Sequence, residues 1–165
     1  MRPEGTPDSD VDRFFPVLQT LVDPGDPMVW APHITGPRLR PAERFGLPQT
    51  LLQFALNDEI VPNIANAAVA RATGLPGVGA AAFPIADVEF GPGPVTGNLA
   101  DGGSGGIQLF DVVTERSAPG QDPAPATHDS VTTSFEGWTA AATFLLPVLD
   151  GEPGVVVDPY AAGSQ

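Results

Sequence analysis

The sequence predicts an α/β fold built on a parallel sheet, and three observations carry that prediction. Two short apolar runs, QTLLQFAL at 49–56 and IQLFDVVT at 107–114, have the length of strands, and the mostly apolar character of the first fits a strand covered on both faces. Each is followed by a polar turn and then a helical segment, the alternation of α/β chains. With 165 residues and 42% apolar side chains, the chain suits about one domain and can bury roughly two-thirds of its unfolded surface.

The elements follow in order. Residues 1–9 are polar and rich in Pro and Gly, so they read as a flexible lead-in. From Asp10 the apolar residues Val11, Phe14, Phe15, Leu18, Leu21 and Val22 recur at helical spacing. Asp10 serves as N-cap, and Pro16 comes early enough to bend this helix without ending it. Asp23-Pro24-Gly25-Asp26-Pro27 stops it, and the stretch to Pro48, with Trp30, His33 and four prolines, reads as a packed irregular connection. The run 49–56 is a buried strand between Pro48 and Asn57-Asp58. Val61-Pro62-Asn63 then leads into an Ala-rich helix over 64–73, with Asn63 as cap and Gly74 as C-terminal stop.

Residues 75–106, including Gly91-Pro92-Gly93-Pro94, hold too much Gly and Pro for long regular elements. The second strand, 107–114, passes through the turn-rich SAPGQDPAPAT to His128. Thr133 and Glu136 form a capping-box pattern for a helix carrying Phe135, Trp138, Ala142 and Leu145 on one face, which Pro147 discourages from continuing. Gly154 to Tyr160 reads as an edge strand or an extended clamp, and 161–165 as a tail. Trp30 and Trp138 read as core residues.

Charge and composition exclude several function classes. Twenty acidic residues face seven basic ones, all Arg, for a formal charge of −13. Binding a phosphate backbone needs clustered Lys and Arg, so nucleic acid and anionic membranes are not expected partners. The chain has no Cys, which removes disulfides, thiol nucleophiles and Cys-ligated zinc. No apolar run approaches the roughly 18 residues of a membrane span. The Met1 end also shows no charged-then-apolar leader. Asp8, Asp10 and Asp12 alternate as in a calcium loop, but neither the Gly at the sixth position nor the Glu at the twelfth follows. Solvated acids and a helix cap explain them better, and no metal or cofactor is expected.

Asp58 and His128 each stand between a strand and a helix, where open α/β sheets place catalytic groups. An aspartate can fix the tautomer of an imidazole and stabilise its protonated form, so that the imidazole acts as general base to a hydroxyl. Two neighbouring parallel strands, each ending in one of these residues, would bring them to one sheet edge. Read from spacing alone, Asp58 is first a helix cap and His128 first a loop histidine.

The segment LLQFALNDEIVPNIANAAVARATGLP resembles the penultimate strand, acid turn and following helix of the α/β-hydrolases, in which Asp-x-x-Val-Pro is frequent; here it is Asp58-Glu59-Ile60-Val61-Pro62. The later strand, loop, His128 and helix resemble that family's final strand and catalytic histidine. DPGDPMVWAPHIT before them is similar to a stretch of bacterial extracellular lipases and esterases. The resemblance covers 10–160 and implies the C-terminal part of a hydrolase-like domain, its last parallel strands and flanking helices joined by long Gly/Pro-rich loops. It gives Asp58 the role of orienting acid and His128 that of general base, and it favours an extracellular or cell-envelope location. Glu59 is the adjacent, solvated acid. His33 precedes the acid against the family's order of Ser, acid, His, and reads as structural.

The family's nucleophile elbow, Gly-x-Ser-x-Gly on a strand-to-helix turn, is absent upstream of Asp58. Gly102-Gly103-Ser104-Gly105-Gly106 matches the letters but follows the acid and precedes a strand, so it reads as a Gly-rich loop. The expectation is therefore the C-terminal segment of a serine carboxylic-ester hydrolase acting on an ester or lipid, inactive alone. Its nucleophile and oxyanion donors would come from a missing N-terminal half or a partner chain. The alternative is a non-catalytic, hydrolase-derived interaction module, with an Asp-rich calcium-binding secreted domain third. Two parallel strands alone leave unpaired edges, so association or a partner sheet is expected.

Overall fold

The structure, a computed structural model, describes residues 16, 18–36, 47–117 and 120–161. The lead-in, the start of the first helix, the Asp8–Asp12 pattern and the end of the tail lie outside the described residues. Of the first helix, 18–22 are helical, with Leu18, Leu21 and Val22 exposed.

Two one-turn helices, α1 (Pro27–Trp30) and α2 (Pro32–Thr35), occupy part of the stretch expected to be irregular. Asp26 caps α1 by accepting from the Met28 N–H at 2.9 Å, and Pro27 and Pro32 stand at first helical positions, where their missing N–H is no loss. Trp30 and Trp138, expected in the core, are instead 43% and 50% exposed. Trp30 donates its indole N–H to the Pro24 carbonyl, and the Arg116 guanidinium lies 4.3 Å over the Trp138 ring. A polar partner for each ring lets it stay at the surface.

A four-stranded parallel sheet forms the centre, in the order β1 (Thr50–Ala55), β4 (Gly105–Phe110), β2 (Gly77–Val78), β3 (Phe90–Gly91). Strands β1 and β4 run in register from Thr50 opposite Gly105 to Ala55 opposite Phe110. The second strand thus starts two residues before the expected 107 and ends at Phe110. Beyond Asp111 the chain enters a small antiparallel ribbon, β5 (Val112–Val113) with β6 (Ala124–Pro125).

Helices cover both faces of the sheet. Leu52, Phe54, Ile107 and Leu109 pack on one face with Ala67 and Ala70 of α3 (Asn63–Thr73) and with Leu75 and Ile85. On the other, Leu51 packs with Val78, Phe144 and Val156, and Ala55 and Phe110 pack with Val113, Ala126 and Val131. Phe144 belongs to the long helix α5 (Phe135–Leu149) and Val131 to the single turn α4 (Ser130–Thr133). This alternation is why the β1 run is mostly apolar instead of alternating. The polar residue in its middle is Gln53, whose Nε2 donates to Gln108 Oε1 at 3.0 Å and to the Gly137 carbonyl at 3.1 Å.

Three local expectations need correcting. Asn63 is the first residue of α3 and not its cap; Pro62 holds the cap position without a side-chain bond, while Asn63 donates to the Leu56 carbonyl. Gly74 does close α3 in the left-handed region, φ 65°. The cap of α5 is Ser134, which accepts from the Gly137 N–H, so Thr133 and Glu136 make no capping box: Glu136 accepts from the Thr114 N–H, 22 residues away. Finally α5 continues two residues past Pro147, because a proline in the last turn removes only a bond near the helix end. The tail acts as a clamp, with buried Val156 bridged antiparallel to Val95.

Candidate functional site

The parallel register of β1 and β4 puts their carboxyl ends side by side, and the ladder continues beyond both. The Leu56 N–H donates to the Phe110 carbonyl at 2.7 Å and the Asn57 N–H to the Ala126 carbonyl at 3.0 Å, while the Ala126 N–H returns to the Asp111 carbonyl. One residue after Asn57 comes Asp58; two after Ala126 comes His128. A short bond from the Thr127 N–H to Ser130 Oγ folds the latter segment into α4. Residues 70 apart in sequence thus meet at one edge of the sheet.

Their side chains are in contact, His128 Nδ1 lying 2.9 Å from Asp58 Oδ2. Asp58 Oδ1 accepts from the Ile60 and Val61 N–H groups at 2.9 and 2.7 Å, so both carboxylate oxygens are committed and the carboxyl plane is fixed. The Asp58 side chain is 8% exposed, the imidazole 38%. Burial alone would raise the Asp58 carboxyl, but the Val61, His128 and Ile60 donors outweigh it and hold it below its ordinary value. The bond to Asp58 raises His128 above its ordinary value; partial burial opposes this, and the charges of Asp58, Asp129 and Glu59 add to the rise. Glu59, read as merely solvated, also accepts from the His128 backbone N–H at 3.4 Å.

With Nδ1–H held by Asp58, the neutral ring presents Nε2 as its basic nitrogen. Both side chains line a cavity of about 330 Å³ with Gln53, Phe54, Ala55, Val61, Asn66, Val131 and Thr132. Thr132 is the one hydroxyl among these lining residues, and it donates to the Asp129 carbonyl at 2.9 Å. Ser104 is fully buried, its Oγ accepting from the Gly97 N–H, and precedes the amino end of β4, opposite the end that leads to the pair. It therefore stands away from the pair, and the flexible surface loop expected there is at Ser104 a buried segment that leads into β4, its carbonyl accepting from the Thr50 N–H at 3.0 Å. His33 is half-buried on α2, its ring 6.4 Å from that of Trp30, and does not line the cavity.

Sequence reasoning missed Asn66. It lies on the buried side of an Ala-rich helix, 7% exposed, and its Nδ2 has no hydrogen-bond partner among the described residues. A lone amide on such a face was the available signal. No group of three or more candidate metal ligands occurs among the described residues, and no helix among them is long and apolar enough to cross a membrane.

Comparison with protein-family models, with curated proteins and with solved structures finds no match to the chain. The chemistry of the site therefore rests on its own geometry: an oriented, partly exposed imidazole at a sheet edge, beside a small cavity.

Proposed function

We propose that the chain is the acid- and histidine-bearing part of a serine ester hydrolase of α/β-hydrolase type. The observation that carries this reading is the Asp58–His128 contact at the carboxyl edge of adjacent parallel strands, with the imidazole lining a cavity. A serine hydroxyl supplied by a nucleophile-bearing part, joined to this chain or in a partner chain, attacks the ester carbonyl and passes its proton to His128 Nε2. Asp58 stabilises the imidazolium, which then protonates the departing alkoxide. Water next gives its proton to the same nitrogen and attacks the acyl-serine; return of that proton to the serine oxygen releases the acid.

Among the described residues no strand pairs with the outer edge of β1, and in this reading the sheet of the nucleophile-bearing part joins there. The test is to express the chain together with the coding sequence directly upstream and to treat the product with a serine-directed fluorophosphonate. Covalent labelling of a serine outside this chain supports the reading; no labelling removes the form of it in which the nucleophile-bearing part is encoded upstream. A second reading, an interaction module with no chemistry, is favoured by the lack of a free hydroxyl among the described residues of the cavity wall, and predicts stable partner binding without labelling.

A further inference from the structure

We propose that Asn66 is the ligand-recognition residue of the Asp58–His128 cavity, its Nδ2 donating to an acceptor oxygen that a small ester carries beyond the bond to be cleaved. The inference rests on the ester-hydrolase reading for the class of ligand; the donor itself follows from the hydrogen bonds of the wall. Gln53 commits its amide protons to Gln108 and the Gly137 carbonyl, Thr132 its hydroxyl to the Asp129 carbonyl, and His128 Nδ1 faces Asp58. With the His128 ring neutral, Asn66 Nδ2 is left as the uncommitted side-chain donor among these lining residues.

Buried donors in folded proteins almost always have a partner, and an orphan beside a cavity is satisfied by what enters it. Asn66 is the fourth residue of α3, so the positive end of that helix reinforces its attraction for an oxygen lone pair. Nδ2 is itself fully buried, so binding requires a turn about χ2, a soft torsion, that brings it to the cavity. At about 330 Å³ the space lies at the small end of ligand pockets, which run from about 300 to 1,000 Å³. Phe54, Ala55, Val61 and Val131 supply apolar wall for the carbon atoms. An all-carbon chain leaves the donor unpaired, and one carrying an oxygen at the right place does not.

Ester binding to the isolated chain tests this without turnover, because no nucleophile is needed. Two isosteric pairs serve as probes: methyl methoxyacetate against methyl butanoate, and 2-methoxyethyl acetate against butyl acetate. In at least one pair the oxygenated ester should bind about tenfold more tightly, the effect of one net hydrogen bond. The Asn66 side-chain amide signals should move in the NMR spectrum as it binds. In Asn66→Leu, which retains the fold because an unpaired amide is replaced by an apolar group of like size, the preference should vanish. Equal binding within both pairs, unmoved Asn66 signals, or a preference that survives Asn66→Leu would overturn the proposal. If His128 signals respond to the esters while Asn66 fails these criteria, the ester-site reading stands alone. If no ester moves His128, that reading falls as well.

Discussion

Protonation of Asp58 and deprotonation of His128 set opposite limits on the contact between them. Because Asp58 sits below its unperturbed value of 3.8, its contribution to stability is present above that value and fades as pH falls through the folded one. Because His128 sits above its unperturbed value of 6.5, its contribution is complete below that value and fades as pH rises through the folded one. Both contributions are therefore present between the two unperturbed values. An NMR titration of the ring should place the His128 midpoint above 6.5, and Asp58→Asn should lower it; an unchanged midpoint in that variant would show that Asp58 does not hold the ring. Asp58 was legible because it follows an apolar run at a strand-to-helix turn, whereas His128, after a long turn-rich segment, was singled out through the order of elements that the resemblance implies. Asn66 was not, because periodicity on an Ala-rich helix marks which face is buried and says nothing about a polar atom left unpaired there.

At the level of elements, the placement of His128 depends on how closely α5 approaches α4. Gly137, in the first turn of α5, lies against α4: a Cβ there would stand 1.9 Å from the Val131 carbonyl oxygen, and backbone cannot yield as a side-chain tip can. Gly137→Ala should therefore lower the melting temperature, by an overpacking loss of about 1–3 kcal/mol or more. It should also shift the His128 signals, since Val131 sits three residues after His128 and lines the same cavity. A variant with wild-type melting and unmoved His128 would refute this coupling. The long strands and α3 were readable from apolar runs and from Gly74. Strands β2 and β3 were not, because two residues carry no period. They are paired by backbone bonds, the Gly77 N–H to the Glu89 carbonyl at 2.9 Å and the Gly79 N–H to the Gly91 carbonyl at 2.8 Å, and the Phe90 ring lies where a Cβ on Gly77 would fall, 2.3 Å from its nearest atom. The cap of α5 was misread by one residue because neighbouring hydroxyls at 133 and 134 offer the same chemistry, and only the path of the chain selects Ser134.

For the molecule as a whole, the mixed α/β character was legible from the alternation of elements, whereas the order of four strands arose from long-range pairing in the Gly/Pro-rich region. Helix α5 also leaves Leu145, Leu146 and Leu149 at 51%, 61% and 80% exposure, and Leu145 shares a groove with Leu51 and Gln53 of β1. A strand edge that no described residue pairs with, beside exposed leucines, favours association. The isolated chain should sediment as more than a monomer at micromolar concentration, and Leu145→Lys with Leu149→Lys should shift it toward monomer. A wild-type chain that stays monomeric would count against an open edge.

The central claim, that Asp58 and His128 are the acid and base of an ester hydrolase, is tested most directly by turnover of a short-chain chromogenic ester. The measurement compares the chain joined to its nucleophile-bearing part with the same assembly carrying His128→Gln or Asp58→Asn. Loss of kcat by roughly 100-fold or more in each variant, at unchanged fold, is the predicted result. Turnover that survives His128→Gln undiminished would contradict the account.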